Sequence, residues 1–200
     1  MRQETLLKIV GLMRRNINLG LTIFQISKLL KIGYAPAYNH INEMEKKEII
    51  KVLKIGNAKQ CKLNLENYKT RHLLQELDIK RKEDLYDKYP KLKAIIENLI
   101  FKLTERYSSE LLSIILFGSY AKGIANNQSD IDIMFIVVNL KDKILRESIE
   151  RECANFQYSH NMKISPLITD IREFKRMLNS RELNVGKETK EFGISLYGHE

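Results

Sequence analysis

The chain has 200 residues, 44% hydrophobic and 30% charged, the composition of a globular chain rather than a disordered or fibrous one. Its apolar runs fall far short of the roughly 18 residues that a membrane span requires. Its first residues, MRQETLLKIVGLMRRN, carry charges where a secretory leader needs an apolar stretch, so a cytoplasmic protein with no membrane partner is expected. The net charge of +9 is concentrated: residues 1–67 hold 12 Lys and Arg against 5 Asp and Glu, residues 68–200 hold 22 against 20, and so basic an N-terminal third suggests a phosphate-bearing partner.

TLLKIVGLMRR places Leu6, Leu7, Ile9, Val10 and Met13 on one stripe, which predicts an amphipathic helix. In LTIFQISKLL, Thr22 is the expected N-cap, with Ile23, Ile26, Leu29 and Leu30 turned inward. Gly33 is expected to supply a turn of positive φ before YAPAYNHINEMEKKE. There Pro36 suits a first helical turn, and Ala37, Ile41 and Met44 recur at helical spacing. IIKVLKI, the turn-forming Gly56-Asn57 and AKQCKLNL read as a β-hairpin. Helix, helix, turn, helix and hairpin, ending near Asn67, is the element order of a winged helix-turn-helix.

Residues 68–89 are charge-rich with a weak helical stripe and are stopped by Pro90, so they are expected to be a helical linker between domains at 1–67 and 90–200. Beyond them KLKAIIENLIFKLTERY predicts a helix, LLSIILF a strand, DIDIMFIVV a second strand and residues 141–158 a charged helix. MKISPLIT follows as a short strand, IREFKRMLNSREL as a helix and FGISLYG as a closing strand. Strands alternating with helices make this half a mixed sheet with helices, and the whole chain α/β (α+β). Cys61 and Cys153 stand alone, without the spacing of a zinc site or a disulfide framework, and read as buried thiols. His40 has no second histidine or acid at metal-ligand spacing.

The chemistry lies between the first two strands of this second domain. An aspartate inside a core strand costs several kcal/mol unless paired, hydrogen-bonded or bound to metal. Asp130 and Asp132 are two apart, so in a strand they face the same side. Such a pair repels itself when ionised, and a divalent cation that prefers oxygen, Mg²⁺ or Mn²⁺, relieves the repulsion. Two such ions clamp the attacking and leaving oxygens of phosphoryl or nucleotidyl transfer. Upstream, Gly118 lets the backbone approach an anion, Ser119 offers a hydroxyl, and YAKG can begin a helix whose N–H groups face a phosphate. These are the parts needed to handle a nucleoside triphosphate.

GSYAKG, five intervening residues and SDID resemble the signature of the minimal nucleotidyltransferase domain of the DNA polymerase β superfamily. The match is close over Gly118 to Asp132, and the order of elements extends it over residues 90–200. The resemblance implies an open sheet with helices behind it, an NTP such as ATP on Gly118, Ser119, Lys122 and Ser129, metal on Asp130 and Asp132, and transfer of a nucleoside monophosphate with release of pyrophosphate. The family adds a third carboxylate from a later strand, here MKISPLIT, where Ser165 stands in the expected place. Asp170 lies just beyond it and replaces the missing catalytic acid only if Pro166 or a bulge shifts the register; otherwise it is an N-cap for the next helix.

The N-terminal half resembles a winged-helix transcription regulator. That resemblance implies a recognition helix presenting Tyr34, Tyr38, Asn39 and Asn42 to a DNA major groove. Lys51, Lys54, Lys59 and Lys62 would then form a phosphate-gripping wing, against which Glu43, Glu45 and Glu48 on the same helix count. The expectation is therefore a metal-dependent nucleotidyltransferase fused to a DNA-binding module, with a hydroxyl acceptor that is a partner protein or a small molecule. The alternative is a transcriptional regulator that only senses nucleotide. Two-fold DNA sites would favour a homodimer.

Overall fold

The computed structural model describes residues 3–17, 19–55, 58–160 and 162–198. The chain divides into two compact units, residues 1–80 and 81–200. The first contains α1 (Gln3–Arg15), β1 (Leu21–Thr22), α2 (Ile23–Leu29), α3 (Tyr34–Lys46), β2 (Ile50–Ile55) and β3 (Ala58–Leu63). The 21-residue helix α4 (Tyr68–Lys88) covers most of the segment expected to be a linker, and the division between units falls inside it.

In the first unit the stripes read from the sequence point inward except at Leu29, which is 58% exposed: Ile9, Val10, Met13, Ile26, Ala37, Ile41, Met44 and Cys61 share one core, joined by Leu73 and Leu74 of α4. Thr22 caps α2, its hydroxyl accepting from Gln25 N at 3.2 Å while Gln25 Oε1 accepts from Thr22 N at 2.8 Å. The positive φ expected at Gly33 is at Lys31 instead (φ 54°); Gly33 is extended (φ −62°) and precedes α3 as its N-cap. A Cβ at Gly33 would lie 3.3 Å from the Pro36 ring, so the glycine answers crowding rather than handedness. β3 lies between β1 and β2, antiparallel to both. The expected turn at Gly56-Asn57 lies outside the described residues.

The second unit continues with α5 (Pro90–Tyr107), β4 (Leu111–Leu116), α6 (Gly118–Lys122), β5 (Ile131–Val137), α7 (Lys143–His160), β6 (Ile164–Asp170), α8 (Ile171–Asn179), α9 (Val185–Phe192) and β7 (Ile194–Gly198). Its sheet order is β6-β5-β4-β7; β5 and β6 run parallel, and the other neighbours are antiparallel. Alternation along β5 sorts the two faces. Ile131, Ile133, Phe135 and Val137 enter the main core with Leu92, Leu99, Ile149 and Cys153 of α5 and α7. Met134 and Ile136 face the other way, into a small cluster with Ile115 and Phe174 of α8. Pro166 is accommodated because β6 is an edge strand. No helix among the described residues is long and apolar enough to cross a membrane.

Candidate active site

Asp132 lies on the same face of β5 as Met134 and Ile136, at the strand's beginning, and is half-buried. Its register partner on β6 is Ser165, and Ser165 Oγ donates to Asp130 Oδ2 at 3.1 Å. Asp130, Asp132 and Ser165 therefore share one face of one sheet end. The same Asp130 oxygen accepts from Lys163 Nζ at 2.5 Å, an ion pair whose members are 36% and 56% exposed.

Gly118 begins α6 with φ +69°, the left-handed region that an L side chain resists. A Cβ there would run into the Asp132 carboxylate, and Phe117 N donates to Asp132 O at 2.9 Å, so the turn is closed directly onto the aspartate strand. Next in line is Ser119, which is half-buried; among the described residues its hydroxyl has no hydrogen-bond partner. Lys122, at the end of α6, pairs with Glu188 Oε1 at 2.7 Å and lies 5.5 Å from the Phe192 ring centroid. Ser129 serves the loop: its Oγ accepts from Asn126 N at 2.9 Å and donates to Asn126 Oδ1 at 3.3 Å, shaping the approach to Asp130.

The electrostatics separate the two aspartates. Burial, then the charges of Asp130 and Glu188, push the Asp132 carboxyl above its ordinary value, against the pull of Lys163. The hydrogen bond from Lys163, supported by that from Ser165, holds Asp130 below its ordinary value. Two oxygen donors on one face, one of them packed directly against the bare backbone of Gly118, fit a hard divalent cation. Among the described residues no three acidic, histidine or cysteine groups converge as a metal cage.

Asp170 does not belong to this constellation. The β5–β6 register runs without a shift from Asp132↔Ser165 to Val137↔Asp170, so Asp170 stands about 16 Å along the strand from Ser165 at the usual rise per residue. Its Oδ1 accepts from Glu173 N at 2.8 Å as the N-cap of α8. The condition attached to its role as a catalytic acid, a shift of register at Pro166, is not met in this pairing.

Lys163 and Glu188 escaped the sequence reading. Lys163 sits outside the motif, 33 residues beyond Asp130. Glu188 lies on α9, a helix whose buried positions are Gly186 and Thr189 and which shows no apolar stripe. Its only local signals are Asn184, whose Oδ1 accepts from Lys187 N at 3.1 Å, and the acid in its first turn.

In the first unit, Tyr34, Tyr38 and Asn39 are exposed on α3, Asn42 is half-buried, and the Tyr34 and Tyr38 rings lie 6.3 Å apart. Lys51 opposes Lys62 and Lys54 opposes Lys59 across the hairpin. Lys51 is relieved by Glu66 at 2.7 Å, while Lys59 Nζ lies 5.6 Å from the Tyr38 ring centroid.

Residues 97–188 match the family model described as Polymerase beta, Nucleotidyltransferase. Two relatives come from Methanocaldococcus jannaschii. Putative protein adenylyltransferase MJ1305 is 37% identical over 84 residues, 41% of this chain and 57% of its own length. Putative protein adenylyltransferase MJ0141 is 31% identical over 83 residues, 42% of this chain and 76% of its own length. The chain thus spans little more than half the length of the first. Among solved structures, it is similar to a chain in a crystal structure of a toxin-antitoxin with AMP-PNP, at 24% identity over 52% of this chain and 74% of that one, with a TM-score of 0.36.

Proposed function

Because the chain belongs to the polymerase β nucleotidyltransferase family, we propose that it transfers a nucleoside monophosphate, AMP from ATP in the first instance, to a hydroxyl of a partner protein. The observation that carries this reading is the shared face of Asp130 and Asp132 closed against Gly118. The names of the two archaeal relatives favour adenylate as the group and protein as the acceptor. A divalent cation, Mg²⁺ or Mn²⁺, on Asp130 and Asp132 supplies neutralisation of the triphosphate and polarisation of its α-phosphate.

The chain's own groups divide the remaining work. Gly118 lets the turn close against Asp132 so that a phosphate on the turn lies beside the carboxylate, and the unengaged Ser119 hydroxyl donates to that phosphate. Lys122 turns from Glu188 to the β- and γ-phosphates, which offer more negative charge than one carboxylate. Glu188, released, accepts the proton of the attacking hydroxyl as that oxygen bonds to the α-phosphorus, the α,β-bridging P–O bond breaks and pyrophosphate leaves. Ser129 acts at a distance, by holding the loop that presents Asp130.

The first unit is read as a winged helix that binds DNA. Like charges directly opposed across a hairpin are unfavourable, and the Lys54–Lys59 pair is relieved when a phosphate backbone lies along it. Tyr34, Tyr38, Asn39 and Asn42 then meet base edges, and Lys51 and Lys62 the backbone.

The test is pyrophosphate release and AMP incorporation from ATP with Mg²⁺, using proteins encoded beside this chain as acceptors. The Asp130→Asn/Asp132→Asn variant is expected to lose both, and Glu188→Gln to keep ATP binding while losing about 10²- to 10⁴-fold in transfer. Ser165 in place of an acid, and Lys163 on Asp130, favour the second reading, a nucleotide-sensing regulator. That reading takes the place of the first if Mg²⁺-dependent ATP binding alters DNA affinity while no acceptor is labelled.

A further inference from the structure

Lys163 is bound into the site from both ends. Its backbone carbonyl accepts from Ile131 N at 2.8 Å, fixing the residue beside the aspartate strand. Its ammonium reaches Asp130 Oδ2 at 2.5 Å, the oxygen that Ser165 also approaches. A ligand oxygen for the divalent cation is therefore already neutralised by a cation of the chain itself. A lysine ammonium is a compact charge on a flexible stem, and this side chain is 56% exposed, so it has solvent-facing room in which to swing.

From this geometry we propose that Lys163 is a nucleotide-binding residue that exchanges partners. Without ligand it occupies the cation position on Asp130. When a divalent cation arrives with a nucleoside triphosphate, Lys163 cedes Asp130 to the metal and pairs with a phosphate oxygen. The driving force is the charge balance: the metal brings two positive charges to Asp130, and the triphosphate brings a larger negative charge within the same small region. An ammonium left on Asp130 would oppose the first, whereas one moved to the phosphate is attracted by the second. The inference rests on the reading of Asp130 and Asp132 as the metal-triphosphate site.

Its signature is two effects of opposite sign. In Lys163→Met, affinity for Mn²⁺ alone, read by electron paramagnetic resonance, rises about 2- to 5-fold because a surface ion pair no longer competes. Affinity for α,β-methylene ATP with Mn²⁺, which binds but cannot transfer AMP, falls about 3- to 10-fold because a charge-assisted phosphate contact is lost. Lys163→Arg restores both toward the wild-type values. Both affinities moving in the same direction, or neither moving, overturns the exchange. Asp130→Asn runs alongside: loss of Mn²⁺ binding there with no effect in Lys163→Met discards Lys163 and retains the site. Mn²⁺ binding indifferent to Asp130→Asn overturns the site itself, and the exchange with it.

Discussion

Ser165 faces Asp132 across the parallel β5–β6 pair, and its hydroxyl donates to Asp130 at 3.1 Å. The position that carries a third acid in this family's resemblance is thus within reach of the aspartates but holds only a hydroxyl. Ser165→Asp is expected to add a third repelling carboxylate, lowering the metal-free melting temperature by about 2–4 °C. The same change is expected to tighten Mn²⁺ binding about 10-fold by adding a charged oxygen ligand. Titration of Mn²⁺ into wild type and variant checks this, and equal affinities would show that the side chain does not reach the ion.

Asp170 is expected to act on stability alone. Asn caps a helix about as well as Asp, so Asp170→Asn should leave the melting temperature within a degree or so, whereas Asp170→Ala should cost about 1 kcal/mol. Neither is expected to change Mg²⁺-dependent ATP affinity by as much as 2-fold, measured by calorimetry.

Gly118→Ala combines a left-handed backbone with a Cβ driven into the Asp132 carboxylate. The backbone conformation alone costs about 1–2 kcal/mol, and displacing Asp132 should reduce ATP affinity more than 10-fold. A variant of wild-type affinity would show that Asp132 can move without losing its ligand.

The raised carboxyl of Asp132 makes its ionised form a burden in the metal-free protein. A raised pKa means that the folded state binds the proton more tightly, so this group's contribution is favourable at low pH and is lost as pH rises through the folded value. Asp132→Asn should therefore melt about 1–3 °C above wild type at pH 7 without metal, and the gain should vanish below about pH 4, where Asp132 is protonated in both states. Added Mg²⁺ with ATP should stabilise wild type but not the variant. Asp130 has the opposite sign: its Lys163 pair stabilises above the ordinary carboxylate range and is lost as acid titrates it.

Lys54→Ala/Lys59→Ala should weaken association with all duplexes alike and lower the slope of log affinity against log salt by about 2, one for each lost phosphate contact. Tyr38→Ala should change sequence preference as well, through its own contacts and through release of Lys59. Electrophoretic shifts at several salt concentrations separate the two. A chain with no salt-dependent DNA association would make the first unit a protein-contact module.

Most of what is written in local pattern was legible in the sequence, though not the exposure of Leu29 or the backbone at Gly33. The helical stripes of α1, α2 and α3, the cap at Thr22, the two-residue spacing that turns Asp130 and Asp132 the same way, and the cap at Asp170 all depend on residues within four positions of one another. Which residues complete the site was a matter for the tertiary structure alone. The register that sets Ser165, not Asp170, beside Asp132 is decided by pairing between strands some 33 positions apart. Lys163 and Glu188 reach the aspartates and Lys122 from segments whose own patterns gave no sign of it, since α9 packs through Gly186 and Thr189. Local periodicity reports the face a side chain takes; only the folding of distant segments against each other decides which charges share that face.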